Sequence, residues 1–242
     1  MKPNTHQIAI AGVMSAVCVL LAVTGLGFIP FVAGISITVM HVPIIIGAIA
    51  AGPAVGTLIG IIFGVSSMIL ASVAPRGPGD VFFTDPWVSI VPRLFIGLAA
   101  WAVYRFTQAT GRTSTVALSG LTLSAIVLAV AYSVSTAEFS LAPLVGLVTG
   151  ALGLGLVAMA LYRATRAHPE QLALSLAAVV GTLTNTALVL TALVARGYIP
   201  ATLAQTVGVT NGPPEMVAAT VITVAVIAAW RQVALRPGGA SV

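Results

Sequence analysis

Three ionisable residues lie within or at the edge of long apolar runs: His41, Arg93 and Glu215. A charge in such a setting is costly, so it implies a partner or a function. Arg93 follows Pro92 near the start of its run. It could snorkel to a polar surface, pair with Asp85, or grip an anionic ligand with its forked donors. His41 stands in TVMHVP, where a neutral imidazole bonded to a nearby backbone carbonyl is the plain reading. Glu215 follows NGPP and opens an apolar run beside Asn211. A carboxylate there would meet the favourable end of a helix dipole, and Pro213 and Pro214 suit a helix start; contact with a ligand is the other reading. Asn185 lies in GTLTNTALVL. The adjacent Thr182, Thr184 and Thr186 can bond back to their own helix, whereas an asparagine needs a neighbouring helix, a water or a ligand. Phe82, Phe83 and Trp87 gather before residues 87–107, as interface anchors or as an apolar wall over a ligand.

These groups do not form a catalytic set. The chain has no P-loop, no H-E-x-x-H, no G-x-S-x-G and no pair of intramembrane aspartates, so neither ATP hydrolysis by a P-loop nor the familiar hydrolase chemistries are expected. The single Cys18 excludes an intrachain disulfide and a cysteine metal site, and reads as a packed thiol. His6 and His168 fall on the side opposite His41 in the topology below, so no metal and no cofactor are expected.

The elements that must position these residues are membrane helices. Of 242 residues, 59% are hydrophobic and 6% charged. Ordinary soluble domains carry about 25% charged residues, and one soluble core of this size could not bury so much apolar surface. Eight candidate spans follow, at residues 7–27, 35–51, 53–73, 87–107, 115–134, 143–163, 171–195 and 213–231. The second is short, with Pro43 near its start. Strand alternation is absent, so the fold is expected to be all-α. The first run follows Lys2 like a signal peptide but lacks an A-x-A site, and reads as a retained helix. With the N-terminus in the cytoplasm, Lys2, Arg105, Arg112, Arg163, Arg166, Arg231 and Arg236 face inward, against Arg76 and Arg196 outside. Both termini are then cytoplasmic. The net charge of +5 is spread thinly, which suits orientation of spans better than nucleic-acid binding. Two long outer connections, 74–86 and 196–212, and a shorter one at 28–34 are natural places for binding groups.

Small residues mark packing faces. Gly52, Gly56, Gly60 and Gly64 repeat every four residues, for close packing within the protein or against a partner. Ala9, Gly12, Ser15 and Ala16 put small groups on one side of the first span, and Gly146 and Gly150 repeat the pattern more weakly.

The runs SITVMHVPIIIGAIAAGPAVGTLIGIIFGVSSMI, FFTDPWVSIVPRLFIGL, GTLTNTALVL and NGPPEMVAATVIT, in this order, resemble the helices of substrate-binding S components of energy-coupling factor (ECF) vitamin transporters. The resemblance covers residues 7–108 and 171–232. It implies an all-α polytopic membrane protein of the bacterial plasma membrane that captures a vitamin on the outer face and is not an enzyme. It implies docking onto a coupling transmembrane protein with two ATPase subunits, through Gly12-x-x-x-Ala16 in place of the family's small-xxx-small motif, and toppling to deliver the ligand. It places Phe83, Thr84, Trp87, Arg93, Asn185, Asn211 and Glu215 in the substrate pocket. Family members typically have six helices, so residues 115–165 are expected to be an inserted transmembrane hairpin within a single domain of residues 1–242. The pattern looks nearest to pantothenate-type members; riboflavin, folate and cobalamin are alternatives, as is a self-contained secondary transporter.

Overall fold

The computed structural model describes residues 4–30, 36–136, 141, 144, 147–156 and 169–234. The expected all-α membrane bundle is what these residues form, with one pair of three-residue strands. The order is α1 (Thr5–Thr24), β1 (Phe28–Pro30), β2 (Ser36–Thr38), α2 (Val42–Ala51), α3 (Pro53–Val73), a 3-10 helix (Pro78–Thr84), α4 (Pro86–Ser89), α5 (Val91–Ser135), α6 (Leu147–Leu156), α7 (Pro169–Ala195) and α8 (Ala201–Ala234). Strands β1 and β2 pair antiparallel, with Phe28 opposite Thr38. Among the described residues, five helices are long and apolar enough to cross a membrane.

Residues 35–51 do not form the continuous span expected of them. They contain β2 and then α2 of 10 residues, which at 1.5 Å per residue is about half a bilayer. Pro43 sits in the first turn of α2 and starts it rather than bending it. The short helix is buried through Ile44, Ile45 and Ile46, so its neighbours surround it. Gly52, at φ 100°, ends α2 and opens α3, a backbone region open to glycine.

The remaining glycines of α3 are used within the chain. A Cβ on Gly56 would lie 2.5 Å from the Cβ of Ala48 and 3.1 Å from the Cα of Gly97. One on Gly60 would strike the carbonyl of Arg93, and one on Gly64 would lie 2.6 Å from the carbonyl oxygen of Ser89. The small face of α3 therefore lets the backbone of α4 and early α5 approach closely. On α1 the expected small face divides. Ser15 is buried, while Ala9, Gly12 and Ala16 are exposed, and a Cβ on Gly12 would meet nothing within 4 Å.

Of the two segments expected as separate spans, residues 87–107 lie in α4 and the first arm of α5, and residues 115–134 lie in its second arm. Gly111, at φ 81° and ψ −179°, is non-helical. The Thr115 hydroxyl reaches the carbonyl of Thr107 at 3.4 Å. In a straight helix eight residues would hold those groups about 12 Å apart, so the chain reverses here. The second arm meets α6 antiparallel, Val127 against Gly153 and Ala131 against Gly150. Nearly half of the sixth expected span, with Gly146 and Arg163, lies outside the described residues, as do Arg166, His168, Lys2 and Arg236.

The two ends of the bundle differ. At the basal end, the Gln7 amide donates to the carbonyl of Ala51 at 3.0 Å, Arg231 pairs with Glu170, and His6 faces Trp230 at 6.3 Å. At the other end, Arg76 donates to the carbonyls of Ala22 and Val23 at 2.8 and 2.9 Å and so caps α1. Cys18 is buried there with Sγ 3.5 Å from the carbonyl of Met40, as a packed thiol should be.

Candidate substrate cavity

A cavity of about 470 Å³ opens at the Arg76 end, walled by α3, the 3-10 helix, α7 and α8. The Phe63 face of α3 supplies one side through Ser67, Leu70 and Ala71, at helical spacing next to the glycine face. Phe82 and Phe83 come from the 3-10 helix, and Val189, Leu190, Leu193, Ile199 and Leu203 form most of the opposite wall. The lining is predominantly apolar, with a few convergent polar groups, as small-molecule sites usually are.

Five of the seven expected site residues line this space: Phe83, Arg93, Asn185, Asn211 and Glu215. Thr84 and Trp87 do not. The Thr84 hydroxyl bonds back to the carbonyl of Val81 at 2.7 Å, and Trp87 is 62% exposed on the outer surface. Asp85 caps α4 by accepting from the Trp87 amide at 2.9 Å, which turns both neighbours away from the cavity.

Arg93 is 5% exposed and held by its own helix start. One guanidinium nitrogen donates to the carbonyl of Val88, and the guanidinium lies 5.3 Å from the Phe63 ring and 5.4 Å from the Phe83 ring. These are cation–π distances. Its Nε has no partner among the described residues. The carboxylate that sequence proximity offered, Asp85, pairs instead with Arg196 at 2.6 Å and accepts from the Tyr198 hydroxyl at 3.0 Å. The Trp87 amide first, and then Arg196 and Tyr198, hold the Asp85 carboxyl below the usual carboxylate range. Tyr198 also stacks on Phe82 at 5.0 Å. This cluster ties the segment before α4 to the α7–α8 connection at the rim.

Glu215 is not in the first turn of a helix, contrary to expectation. α8 begins at Ala201 and carries Pro213 and Pro214 inside it. Residues 201–212, read as outer loop, are thus largely helical. The prolines lack the amides that would bond to the carbonyls of Val209 and Thr210, which weakens the helix beside Asn211. Glu215 is 4% exposed and reaches the hairpin: Oε1 accepts from the Thr38 amide at 2.9 Å and its hydroxyl at 2.5 Å, and Oε2 accepts from Thr186 at 3.4 Å.

His41, read as structural, also lines the cavity. It is 1% exposed, and its Nε2 meets the Thr182 hydroxyl at 2.9 Å rather than a backbone carbonyl. Thr182 and Thr184 bond to their own helix as expected, at 2.9 and 2.8 Å. Asn185 Oδ1 is buried without a partner among the described residues. Phe63 and Thr38 escaped the sequence reading, because a phenylalanine among apolar residues and a threonine near a span end carry no distinguishing pattern; Thr186, expected to bond back to its own helix, donates instead to Glu215 Oε2 at 3.4 Å. Among the described residues no group of three or more His, Cys, Asp or Glu could hold a metal ion.

No curated protein matches the chain. A family model described as ECF transporter, substrate-specific component, matches residues 6–143, more than half of the sequence. The match spans α1 to the end of α5 and with it the Arg93, Phe63 and His41 side of the cavity; α7 and α8 complete the bundle beyond it. The chain belongs to the family of substrate-specific components of ECF transporters.

Proposed function

We propose that this membrane protein captures a small water-soluble vitamin in the cavity beside Arg93, with pantothenate as the first candidate. The observation that carries the reading is a buried guanidinium lining a mostly apolar 470 Å³ cavity with no acidic side chain paired to it among the described residues. A ligand carboxylate would supply the missing charge through a charge-assisted contact. The proposed contact residues are Phe83, Arg93, Asn185, Asn211 and Glu215; Thr84 and Trp87 are left out because they face elsewhere. A cavity of about 470 Å³ is within the usual range of small-molecule sites and leaves room for pantothenate.

Delivery would rest on a coupling membrane protein and two ATPase subunits. Support for a docking face on α1 comes from Gly12 and Ala16, which are exposed next to Val13 and Leu20. Gly12→Trp should leave ligand affinity unchanged and abolish co-purification with the energising subunits, since a Cβ there would meet nothing within 4 Å among the described residues. The proposed orientation keeps both termini cytoplasmic. It is supported by Arg105, Arg112 and Arg231 lying towards the basal end and Arg76 and Arg196 at the cavity end. Residues 115–165 are proposed as a hairpin that pads the bundle, supported by the contacts of Val127 with Gly153 and Ala131 with Gly150.

The test is mass spectrometry of small molecules released from the purified protein, followed by thermal stabilisation with added vitamins. A ligand at 100 times its Kd should stabilise by about 2.7 kcal/mol. Saturable stabilisation by pantothenate supports the assignment. Stabilisation by riboflavin or folate alone replaces it, and no response to any vitamin overturns it.

A further inference from the structure

The polar and apolar residues that line the cavity lie at different levels. α7 runs from the basal end to the rim, and along it the lining passes from Asn185 and Thr186 to Val189, Leu190 and Leu193. At 1.5 Å per residue, Asn185 to Leu193 is a climb of about 12 Å. α8 runs the other way. Its cavity face, at four-residue spacing, passes from Leu203 and Val207 down to Asn211 and Glu215. Two contacts set the levels of these antiparallel helices. Thr186 donates to Glu215 Oε2 at 3.4 Å, and further out a Cβ on Gly208 would lie 3.2 Å from Leu190 Cδ1. The third wall agrees: Val88 is buried in one cluster with Val189 and Leu193, and Arg93 follows more than a helical turn further in. Arg93, Asn185 and Glu215 therefore belong to the floor. The α7–α8 side above them is hydrocarbon, from Val189, Leu190, Leu193, Ile199, Leu203 and Val207. Across the mouth stand Arg76 and Asp80, joined by the Arg76 amide at 2.7 Å, with the Arg76 guanidinium on the carbonyls of Ala22 and Val23.

A ligand polar all round its far end would leave polar atoms desolvated and unpaired on the α7–α8 wall. We infer that the cavity binds its ligand head-first: the anionic group lies at the floor with Arg93, and a branched or ring hydrocarbon portion lies against Leu193, Leu203 and Val207, which set specificity. This deepens the proposed function and rests on it, since it takes the cavity to be the ligand site. The substrate class is thereby narrowed to small monoanions whose far half presents hydrocarbon on at least one face. Pantothenate meets that requirement with the two methyl groups in the half opposite its carboxylate. Burial of two methyl groups should raise affinity about tenfold.

Two measurements on the full chain in detergent test this. Calorimetric titration should show native protein preferring pantothenate about tenfold over the analogue with both methyl groups replaced by hydrogen. Leu203 is 46% exposed and Val207 is half-buried, so the double variant Leu203→Asn/Val207→Thr should fold. It should reduce the preference to about threefold or less, while Arg93→Met weakens both ligands alike. Val207→Thr alone, which keeps the side-chain shape, takes the place of the double variant if that one is unstable. Equal affinity of native protein for the two ligands, or a tenfold preference kept in the wall variant, overturns the inference and leaves the proposed function standing. The second measurement uses no vitamin. Saturation-transfer NMR should show hexanoate bound, with the strongest transfer at its terminal methyl, and adipate, anionic at both ends, failing to displace it. Arg93→Met and the wall variant should each remove the hexanoate signal. Uniform transfer along the chain, a signal that survives both variants, or no signal in native protein overturns the inference. Failure of native protein to bind pantothenate overturns the pantothenate assignment instead, and the hexanoate result then decides the inference by itself.

Discussion

At the basal end, Arg231 pairs with Glu170 and donates to the Tyr104 hydroxyl at 3.3 Å, with both charged side chains roughly half open to the surroundings. At the cavity end, Arg93 is almost wholly enclosed, is flanked by two aromatic rings and keeps one donor unused. Both are single arginines on helices. The first is a fastening: its partner is already in the chain, and an exposed pair contributes only about 0–1 kcal/mol. The second is costly to bury without an acidic partner, which it lacks among the described residues. Asp85 and Arg196, at the same end as Arg93, resemble the basal pair more than they resemble their neighbour, because their charges are satisfied within the rim. Pairing, rather than depth along the bundle, separates fastening charges from those free to meet a ligand.

The largest effect is expected from a residue that touches no ligand. Gly60→Val should drive a side chain into the backbone of Arg93 and separate α3 from α5. Overpacking of this kind costs about 1–3 kcal/mol and sometimes more. Monodisperse yield and thermal midpoint should both fall, together with ligand binding. Next comes Arg93→Met. Removing an unpaired buried charge should leave the ligand-free midpoint unchanged or raised, while affinity for an anionic vitamin falls on the order of 100-fold. A large loss of ligand-free stability would instead make Arg93 a fastening like Arg231.

A smaller effect, visible only in acid, is expected at the rim. The folded Asp85 carboxyl is held below its ordinary value, so its contribution to stability is complete above about pH 4, the unfolded value. It is lost as pH falls through the lower folded value. The thermal midpoint of native protein should drop over that acid range, and Asp85→Asn should be lower at neutral pH and flatter below it. A native profile with the same slope as the variant would remove the rim pairing from the comparison. The smallest change belongs to Arg231→Met, with at most about 1 kcal/mol of stability lost and ligand affinity unaltered in a binding titration.

Much of this was legible in the residue order, because it depends on local composition. Apolar length marked α1, α3, both arms of α5 and α7 as membrane helices, and the glycine spacing of α3 marked a close contact. The hydrophobic and chain-length rules behind those readings act over one helix at a time. The errors came where a segment's fate depended on what surrounds it. Residues 35–51 are apolar enough to span, yet α2 is short because other helices enclose it. NGPP reads as a helix start, yet α8 runs through it.

The sequence by itself determined that this chain is a helical membrane protein, since lipid demands long apolar helices whatever their arrangement, and its match over residues 6–143 carried the ECF substrate-specific family. Only the tertiary structure decided which polar atoms share a cavity. It brought His41 to Thr182, gave Asp85 to Arg196 and left Arg93 without an acidic partner among the described residues. Those outcomes depend on contacts between residues up to 141 positions apart, such as His41 and Thr182. Side-chain spacing along one helix carries no information about which neighbour will face it.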